Sequence, residues 1–129
     1  MLSEPIKSCP NTSVLEAIQR HDGELATCAT VWHELRYGAA RLPASRKRRA
    51  IEAYLDEAVR GALPILPYDE EAAVWHAQER ARLGKRGRPP SAADGQIAAT
   101  AHINELTLVT ANPRDFRRFE GLVIEDWSR

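Results

Sequence analysis

The stretch of the chain that decides the fold runs from Ser91 to Phe116 and reads SAADGQIAATAHINELTLVTANPRDF. Serine commonly caps helix N-termini, and small apolar residues follow Ser91 at helical spacing as far as Ala101. The apolar run Leu106–Val109 then predicts a short strand, and Pro113 the start of another helix. Such alternation of helices and short strands indicates an α/β fold with a mostly parallel sheet.

The same alternation extends through the rest of the sequence. One helix is predicted from a cap at Asn11 or Thr12, and a second from a cap at Thr30 to Pro43. A third is predicted from about Ser45 to Arg60, with Gly61 as its end. A fourth begins at Asp69, includes Val74, Ala77 and Ala81, and ends at Gly84. The spacing of Ile51, Leu55, Ala58 and Ala62 predicts one buried helix face. Short strands are predicted at 25–29, 63–66 and 122–124. The chain itself is expected to begin with a helix over residues 2–7. Only four short strands are predicted in all, and a parallel sheet of this size would normally hold one more.

Length and composition restrict the class of protein. The chain has 129 residues and a mass of 14.4 kDa, so we expect one domain over residues 1–129. Eighteen basic residues balance eighteen acidic ones, which gives no overall field for nucleic acid or membrane. No apolar run reaches the length of a membrane span and no secretory segment opens the chain, so a cytoplasmic protein is expected.

Several types of chemistry lack their motifs. The sequence contains no phosphate-binding loop and no serine nucleophile elbow. His33-Glu34 begins like a zinc-protease motif, but Tyr37 stands where the second histidine is needed. Cys9 and Cys28 are too few for a disulfide scaffold or a zinc knuckle, and we expect both to be reduced, buried thiols.

Three carboxylates lie just after the starts of predicted helices. Glu34 and Asp115 each follow a strand by about one helical turn, and Asp94 lies three residues after Ser91. If these helices begin at one edge of the sheet, the three carboxylates converge, because such sheets bind ligands beyond the carboxyl ends of their strands. Clustered carboxylates without His or Cys suit a hard cation such as Mg²⁺ or Mn²⁺.

Helix capping offers a second interpretation of the same acids. Ser91 and Asp94 have the spacing of a capping box, and Asn112 with Pro113 and Asp115 reads as a cap followed by a first-turn acid. Glu34 would be an ordinary acid near the start of a helix capped at Thr30. Acids in first turns are favourable without any metal. Spacing alone leaves both interpretations open.

Two basic stretches concern the choice of substrate. Residues 46–49 read RKRR at the start of a predicted helix, and we expect mainly a solvated surface there. Five of the nine residues from Arg80 to Arg88 are basic and none is acidic. Because this second stretch leads directly into Asp94, it favours contact with a phosphate backbone, with Arg86 and Arg88 as candidate RNA-binding residues.

A family resemblance rests on five segments in series. They are LSEPIK at residues 2–7, HELRYG at 33–38, GRP at 87–89, DGQIAAT at 94–100 and LVTANPRDF at 108–116. Together these segments resemble PIN-domain proteins of the VapC type, in the FitB-like and plasmid-stability branch. The resemblance covers essentially the whole chain. It implies a Rossmann-like α/β/α sandwich around a central, mostly parallel sheet.

The resemblance also implies an activity and its partners. It indicates a divalent-metal-dependent endoribonuclease, the toxin of a toxin–antitoxin pair, with Mg²⁺ or Mn²⁺ as cofactor, a cognate antitoxin as partner and a homodimer as assembly. By residue, Glu34, Asp94 and Asp115 match the family's catalytic, metal-binding acids, and Thr110 and Asn112 match the polar residues of the pocket. In such a site the metal-bound water attacks an RNA phosphate.

The sequence departs from the family at its beginning. Family members open with a hydrophobic strand that ends in an aspartate, whereas here Met1 directly precedes Leu2-Ser3-Glu4. We therefore expect that the natural chain begins further upstream, or else that a truncated chain has lost activity. The second case defines an alternative function, an inactive PIN-like module that sequesters an antitoxin. A phosphate-handling protein of the receiver or phosphatase type is a weaker third hypothesis.

Overall fold

The computed structural model describes residues 12–21 and 23–128, and these residues form two compact units. The N-terminal unit ends at Leu66 and the C-terminal unit begins at Pro67. The predicted helix over residues 2–7 and the thiol of Cys9 lie outside the described residues, and the single domain over residues 1–129 stays a prediction. Among the described helices, none combines the length and apolarity that crossing a bilayer requires.

The N-terminal unit alternates helices and strands as predicted. It contains α1 (Thr12–Arg20), β1 (Thr27–Cys28), α2 (Ala29–Ala40), α3 (Arg46–Tyr54), a π-helical turn (Leu55–Arg60) and β2 (Ile65–Leu66). The strands β1 and β2 are parallel, with Thr27 opposite Ile65. Because β1 passes directly into α2, the residue at the N-cap is Cys28, and the predicted cap at Thr30 is wrong. Thr30 lies inside the first turn of α2.

The buried face of α3 differs from the predicted one. Leu55 and Val59 are buried, whereas Ala58 and Ala62 are exposed. The helix widens into a π-turn from Leu55 onward, so side chains four residues apart lie nearly in line. The N-terminal core therefore consists of buried and partly buried apolar residues from α2, α3 and the π-turn: Trp32, Leu35, Ala39, Ile51, Tyr54, Leu55, Val59 and Leu63.

The π-turn ends at Gly61, and this glycine is required by close packing. A Cβ at position 61 would lie 2.6 Å from the carbonyl oxygen of Glu57. The φ angle of Gly61 is −74°, so the constraint is steric and does not come from a left-handed backbone. The predicted end of the helix at Gly61 is therefore confirmed.

The C-terminal unit repeats the α/β pattern. It contains α4 (Glu70–Lys85), α5 (Ala92–Ile103), β3 (Leu108–Val109), a 3-10 turn (Pro113–Asp115) and β4 (Ile124–Glu125). The strands β3 and β4 are parallel, with Leu108 opposite Ile124. The predicted caps are confirmed, because Asp69 accepts a 2.9 Å hydrogen bond from the Ala72 N–H and Ser91 caps α5. Helix α4 continues one residue beyond Gly84, where the sequence predicted its end.

Polar residues form half of the buried face of α4. Its buried residues are Ala72, His76, Glu79 and Leu83, whereas Val74, Ala77 and Ala81 are exposed. The apolar core of the unit combines side chains from α4, α5, β3, β4 and the segment between the two strands, namely Trp75, Leu83, Ile97, Ala98, Leu108, Phe116, Phe119, Leu122 and Ile124. The rings of Trp75 and His102 stack with centroids 4.5 Å apart.

Glu79 connects α4 to the segment that follows the 3-10 turn. Its carboxylate accepts hydrogen bonds of 2.8 and 2.9 Å from the Arg82 guanidinium and one of 2.7 Å from the backbone N–H of Glu120. Arg82 in turn donates to the carbonyl of Arg118 at 2.7 Å. The hydrogen bonds from Arg82 are the largest cause that lowers the pKa of Glu79, although burial acts in the opposite direction.

The network predicts a pH-dependent effect of Glu79→Gln. The folded pKa of Glu79 lies below its unfolded value, so the charge stabilises the protein above that unfolded value, about 4.3. The stabilisation is lost as the pH falls through the folded pKa. We expect Glu79→Gln to lower the free energy of unfolding by about 1–3 kcal/mol at neutral pH and by much less in acid. Urea unfolding across this pH range measures the difference.

The matched control for this variant is Glu71→Gln, which removes an exposed carboxylate from the same helix. It is expected to change stability by at most about 0.5 kcal/mol at any pH. If Glu79→Gln lowers the free energy of unfolding by the same amount at neutral and at acid pH, the assigned role of the Glu79 charge is contradicted.

The N-terminal end of α5 packs against α4 through a histidine and a glycine. His76 is buried, and its Nδ1 shares a 2.7 Å hydrogen bond with the hydroxyl of Tyr68. Burial, together with the charge of Arg80, lowers the pKa of His76. A Cβ at Gly95 would lie 2.0 Å from the Nε2 of His76, so the two helices approach this closely only because residue 95 has no side chain.

This contact predicts opposite effects for two glycine substitutions. Gly95→Ala is expected to lower the free energy of unfolding by about 1–3 kcal/mol, because the added methyl overlaps the imidazole. Gly84→Ala adds a methyl to open space in α4 and is expected to be neutral or to stabilise by up to about 1 kcal/mol. Both are measured by chemical denaturation. In the Gly95→Ala/His76→Ala double variant the two losses of stability are expected to sum to less than those of the single variants. If the two losses simply add, the overlap between the methyl and the imidazole is refuted.

Candidate metal centre

Glu34 lies in the second turn of α2, close to the end of β1. Helix α2 begins at Ala29, so Glu34 is its sixth residue, and the first turn contains no acid. Helix-dipole stabilisation falls off within the first turn, so the interpretation of Glu34 as a first-turn acid is wrong. Cys28 ends β1 as a buried, free thiol, as predicted for this cysteine. Burial chiefly raises the pKa of Cys28, and the charge of Glu34 adds to the rise, which places that charge near the carboxyl end of β1.

Asp94 is the third residue of α5. Its backbone N–H donates a 3.1 Å hydrogen bond to the hydroxyl oxygen of Ser91, which completes one half of a capping box. Within the described residues of the C-terminal unit, the Asp94 carboxylate makes no return hydrogen bond to Ser91. Helix α5 leads into β3 through a tight turn in which the N–H of Leu106 donates to the carbonyl of Ala101 at 2.9 Å. The N-terminal end of α5 therefore lies towards the carboxyl end of β3.

Asp115 ends the 3-10 turn that follows β3. The hydroxyl of Thr110 accepts a 3.0 Å hydrogen bond from the N–H of Asn112, and the carbonyl of Asn112 accepts one of 3.1 Å from the N–H of Asp115. Asn112 occupies the N-cap position with Pro113 after it, as predicted, although the side chain of Asn112 makes no capping hydrogen bond. Thr110 and Asn112 instead fix the backbone that carries Asp115.

A depression of about 350 Å³ opens beside Asp115. Its lining includes Asn112 and two arginines, Arg114 and Arg117, but does not include Thr110. The roles of Thr110 and Asn112 in a metal pocket stay a prediction. No sequence motif singles out the two arginines, and their one signal is a spacing of three residues after Pro113. They give the depression positive charge around a single carboxylate.

The three candidate acids share an absence of protein partners. Within the described residues of its own unit, none of the carboxylates of Glu34, Asp94 and Asp115 makes a hydrogen bond or an ion pair. Other acids of the same units do find arginines. Asp56 lies 2.9 Å from Arg36, and Glu79 lies 2.8 Å from Arg82. The candidate acids are thus free to bind a cation from outside the chain.

The donor set fits a hard divalent cation. Carboxylate oxygens, with a hydroxyl at Thr110 and an amide at Asn112 nearby in the sequence, are the ligands that Mg²⁺ and Mn²⁺ prefer. In neither unit do the described residues bring three Asp, Glu, His or Cys side chains together. Asp94 and Asp115 belong to the C-terminal unit and Glu34 to the N-terminal unit. The three-carboxylate centre therefore stays a prediction.

The candidate RNA-binding arginines lie in the loop between α4 and α5. Arg86 and Arg88 are exposed. The carbonyl of Arg88 accepts a 3.4 Å hydrogen bond from Arg118, which connects this loop to the segment after the 3-10 turn. Neither guanidinium, of Arg86 or of Arg88, bonds to a described residue of the C-terminal unit. Both charges are thus available to a ligand, and their binding to RNA stays a prediction.

Comparison with known proteins identifies relatives along nearly the whole chain. The tRNA(fMet)-specific endonuclease VapC of Shigella flexneri is 36% identical over 125 residues, which cover 95% of this chain and 89% of the relative. Toxin FitB of Neisseria gonorrhoeae is 33% identical over 135 aligned positions, covering 98% and 94% of the two chains.

The structural comparison agrees with the sequence. The crystal structure of FitAcB from Neisseria gonorrhoeae superposes with a TM-score of 0.90 at 30% identity, and the match covers 98% of this chain and 92% of the other. The PIN domain family matches residues 2–122. These findings confirm the predicted resemblance and the α/β fold, and the chain belongs to the PIN-domain family.

Proposed function

We propose that the chain is a divalent-metal-dependent endoribonuclease that hydrolyses RNA phosphodiesters and acts as the toxin of a toxin–antitoxin pair. One observation carries the proposal: within the described residues of their own units, the carboxylates of Glu34, Asp94 and Asp115 have no cationic partner, although the chain has eighteen basic residues. In the PIN-domain family the relatives described above include a tRNA-specific endonuclease and a protein named as a toxin.

Each group has a part in the proposed reaction. The oxygens of Glu34, Asp94 and Asp115 hold the ion, with Mg²⁺ or Mn²⁺ as the ion of choice. When bound, such a cation activates a water molecule and neutralises charge that develops on the phosphate. Thr110 and Asn112 keep the backbone before Asp115 in position through the hydrogen bond described above.

Arginines supply the contacts to the substrate in this proposal. Arg86 and Arg88 stand in the loop that leads to Ser91 and thus to Asp94. Guanidinium groups bind phosphate oxygens with charge-assisted hydrogen bonds, which orient the RNA backbone without reading its sequence. Since the substrate carries one negative charge per nucleotide, the two arginines offset its repulsion by the carboxylates.

A cognate antitoxin is the proposed protein partner. Unpaired carboxylates attract Arg or Lys side chains as well as metal ions, so a basic antitoxin segment inhibits the site by neutralising Glu34, Asp94 and Asp115. The homodimer implied by the resemblance stays a prediction. Among the residues that the structure describes, neither unit alone assembles three acids, and this favours a second candidate, an inactive PIN-like module that only sequesters the antitoxin.

Amide substitutions test the carboxylates directly. Asp94→Asn, Glu34→Gln and Asp115→Asn each remove a negative charge at constant size and are expected to lower RNA cleavage at least about 100-fold. The melting temperature is expected to stay within about 2 °C of the parent, because the three carboxylates bond to no described residue of their own units. Cleavage of labelled RNA with Mg²⁺ or Mn²⁺, with EDTA as the metal-free reference, is the measurement.

Glu71→Gln is again the control, as an exposed acid that the proposal does not use. Cleavage by Asp94→Asn at the parental rate, or unchanged cleavage in EDTA, would refute the proposed metal site. A parent protein that captures its antitoxin but cleaves no RNA with either metal would establish the inactive module instead.

A further inference from the structure

The corner between α2 and α3 carries a concentration of positive charge. Six of the residues between Glu34 and Glu52 are Lys or Arg, and none is acidic. They are Arg36, Arg41, Arg46, Lys47, Arg48 and Arg49. Two of them bind to other described residues of the N-terminal unit, and four of them do not. We refer to Arg41, Arg46, Lys47 and Arg49 as the basic corner.

Two of the six cations hold the corner together. Arg48 donates from Nε to Glu52 at 3.0 Å and from Nη1 to the carbonyl of Leu42 at 3.1 Å. Its backbone N–H donates to the capping hydroxyl of Ser45 at 3.1 Å. Arg36 bonds to Asp56 at 2.9 Å and lies over the ring of Trp32. These contacts fix the end of α2 against the start of α3.

The four residues of the basic corner have no such role. All four are exposed, and none makes a hydrogen bond or an ion pair with a described residue of the N-terminal unit. Arg46, Lys47 and Arg49 occupy the first turn of α3, where positive charge is unfavourable to the helix dipole. Their charges repel one another and reduce the stability of the folded unit. A polyanion bound from outside would offset this cost.

An exposed aromatic pair adjoins the basic corner. Tyr37 is 62% exposed, and its ring centroid lies 6.5 Å from that of His33. Glu34, Tyr37 and Arg41 are spaced by three and four residues on α2, so they lie on one face of the helix. The same face therefore carries the carboxylate of Glu34, the ring of Tyr37 and the guanidinium of Arg41, in this order.

This combination fits single-stranded RNA better than an acidic peptide. Phosphates along the strand need a row of cations, and unstacked bases need aromatic faces on which to stack. An acidic peptide would use the cations but would leave the ring of Tyr37 without a matching group. Proximity to Glu34 along α2 also places the surface beside one of the candidate catalytic acids.

We propose that the basic corner binds the phosphate backbone of the RNA substrate, and that Tyr37 stacks on one of its bases. The inference rests on the proposed ribonuclease function and extends it, because it names a surface in the N-terminal unit that holds the strand. Arg86 and Arg88 of the C-terminal unit are separate candidates for the same substrate.

The test compares two double variants that remove the same charge. One is Arg46→Gln/Lys47→Gln, and the control is Arg20→Gln/Arg60→Gln, whose arginines are exposed outside both basic stretches of the sequence. Both carry Asp94→Asn, and the probe is a fluorescein-labelled RNA strand of about 12 nucleotides and mixed sequence. Affinity is measured by fluorescence anisotropy at several salt concentrations.

The slope of log affinity against log salt gives the number of phosphate contacts. Removal of two contacts to single-stranded RNA is expected to reduce this slope by about 1.4 and to weaken binding at least about five-fold at low salt. The control double is expected to leave the slope within about 0.5 of that of the protein with Asp94→Asn alone. If the corner double fails to fold, Lys47→Gln alone is expected to reduce the slope by about 0.7.

Variants of Tyr37 separate stacking from charge. Tyr37→Leu is expected to weaken RNA binding about five-fold or more with no change in salt slope, whereas Tyr37→Phe keeps the ring and the affinity. Equal losses in the leucine and phenylalanine variants would refute stacking by the ring.

Three outcomes would overturn the inference. The first is an unchanged salt slope in the corner double, and the second is an equal loss of RNA affinity in the control double. The third is a loss confined to duplex DNA or to antitoxin capture while RNA binding persists. Because the assay reads binding alone, a chain that binds RNA through the corner but never cleaves it would refute the proposed function and leave the corner in place.

Discussion

The buried carboxylate of Glu79 determines how the C-terminal segment leaves the core. By accepting hydrogen bonds from Arg82 and from the N–H of Glu120, it holds the chain after the 3-10 turn against α4. Phe116 and Phe119, which precede Glu120 in the sequence, pack into the core. Asp115, directly before Phe116, therefore remains exposed at the end of β3. The ion pair of Glu79 and Arg82 thus holds the segment in which the core residues Phe116 and Phe119 follow the exposed Asp115.

The other charged residues also differ in whether they pair with an opposite charge of their own unit. Asp56, Glu52 and Glu79 are paired with arginines and stabilise helix contacts. Within the described residues of their own units, Glu34, Asp94 and Asp115 have no such partner, and neither do the four cations of the basic corner. Unpaired surface charge contributes little to folding and is open to ligands of opposite sign. The proposed ligands are a cation for the three acids and an RNA backbone for the basic corner.

Local chemistry explains which features could be predicted from the sequence. The caps at Asp69 and Ser91 and the order of helices and strands depend on neighbouring residues, and they were predicted correctly. The buried face of α3 was not, because the π-turn at Leu55 changes the helical period without a sequence signal. The buried face of α4 was missed because His76 and Glu79 are polar, and their burial depends on distant partners.

The candidate site was predictable in its residue types but not in its surroundings. Family motifs selected Glu34, Asp94 and Asp115. The structure added that these acids make no ion pair with described residues of their own units, and it added the arginines beside Asp115.

The most direct test of the proposed metal centre is a titration of the protein with Mn²⁺, followed by electron paramagnetic resonance of the free ion. The account predicts saturable binding in the parent that Glu34→Gln and Asp94→Asn each abolish. Binding of Mn²⁺ at parental affinity in both variants would contradict it.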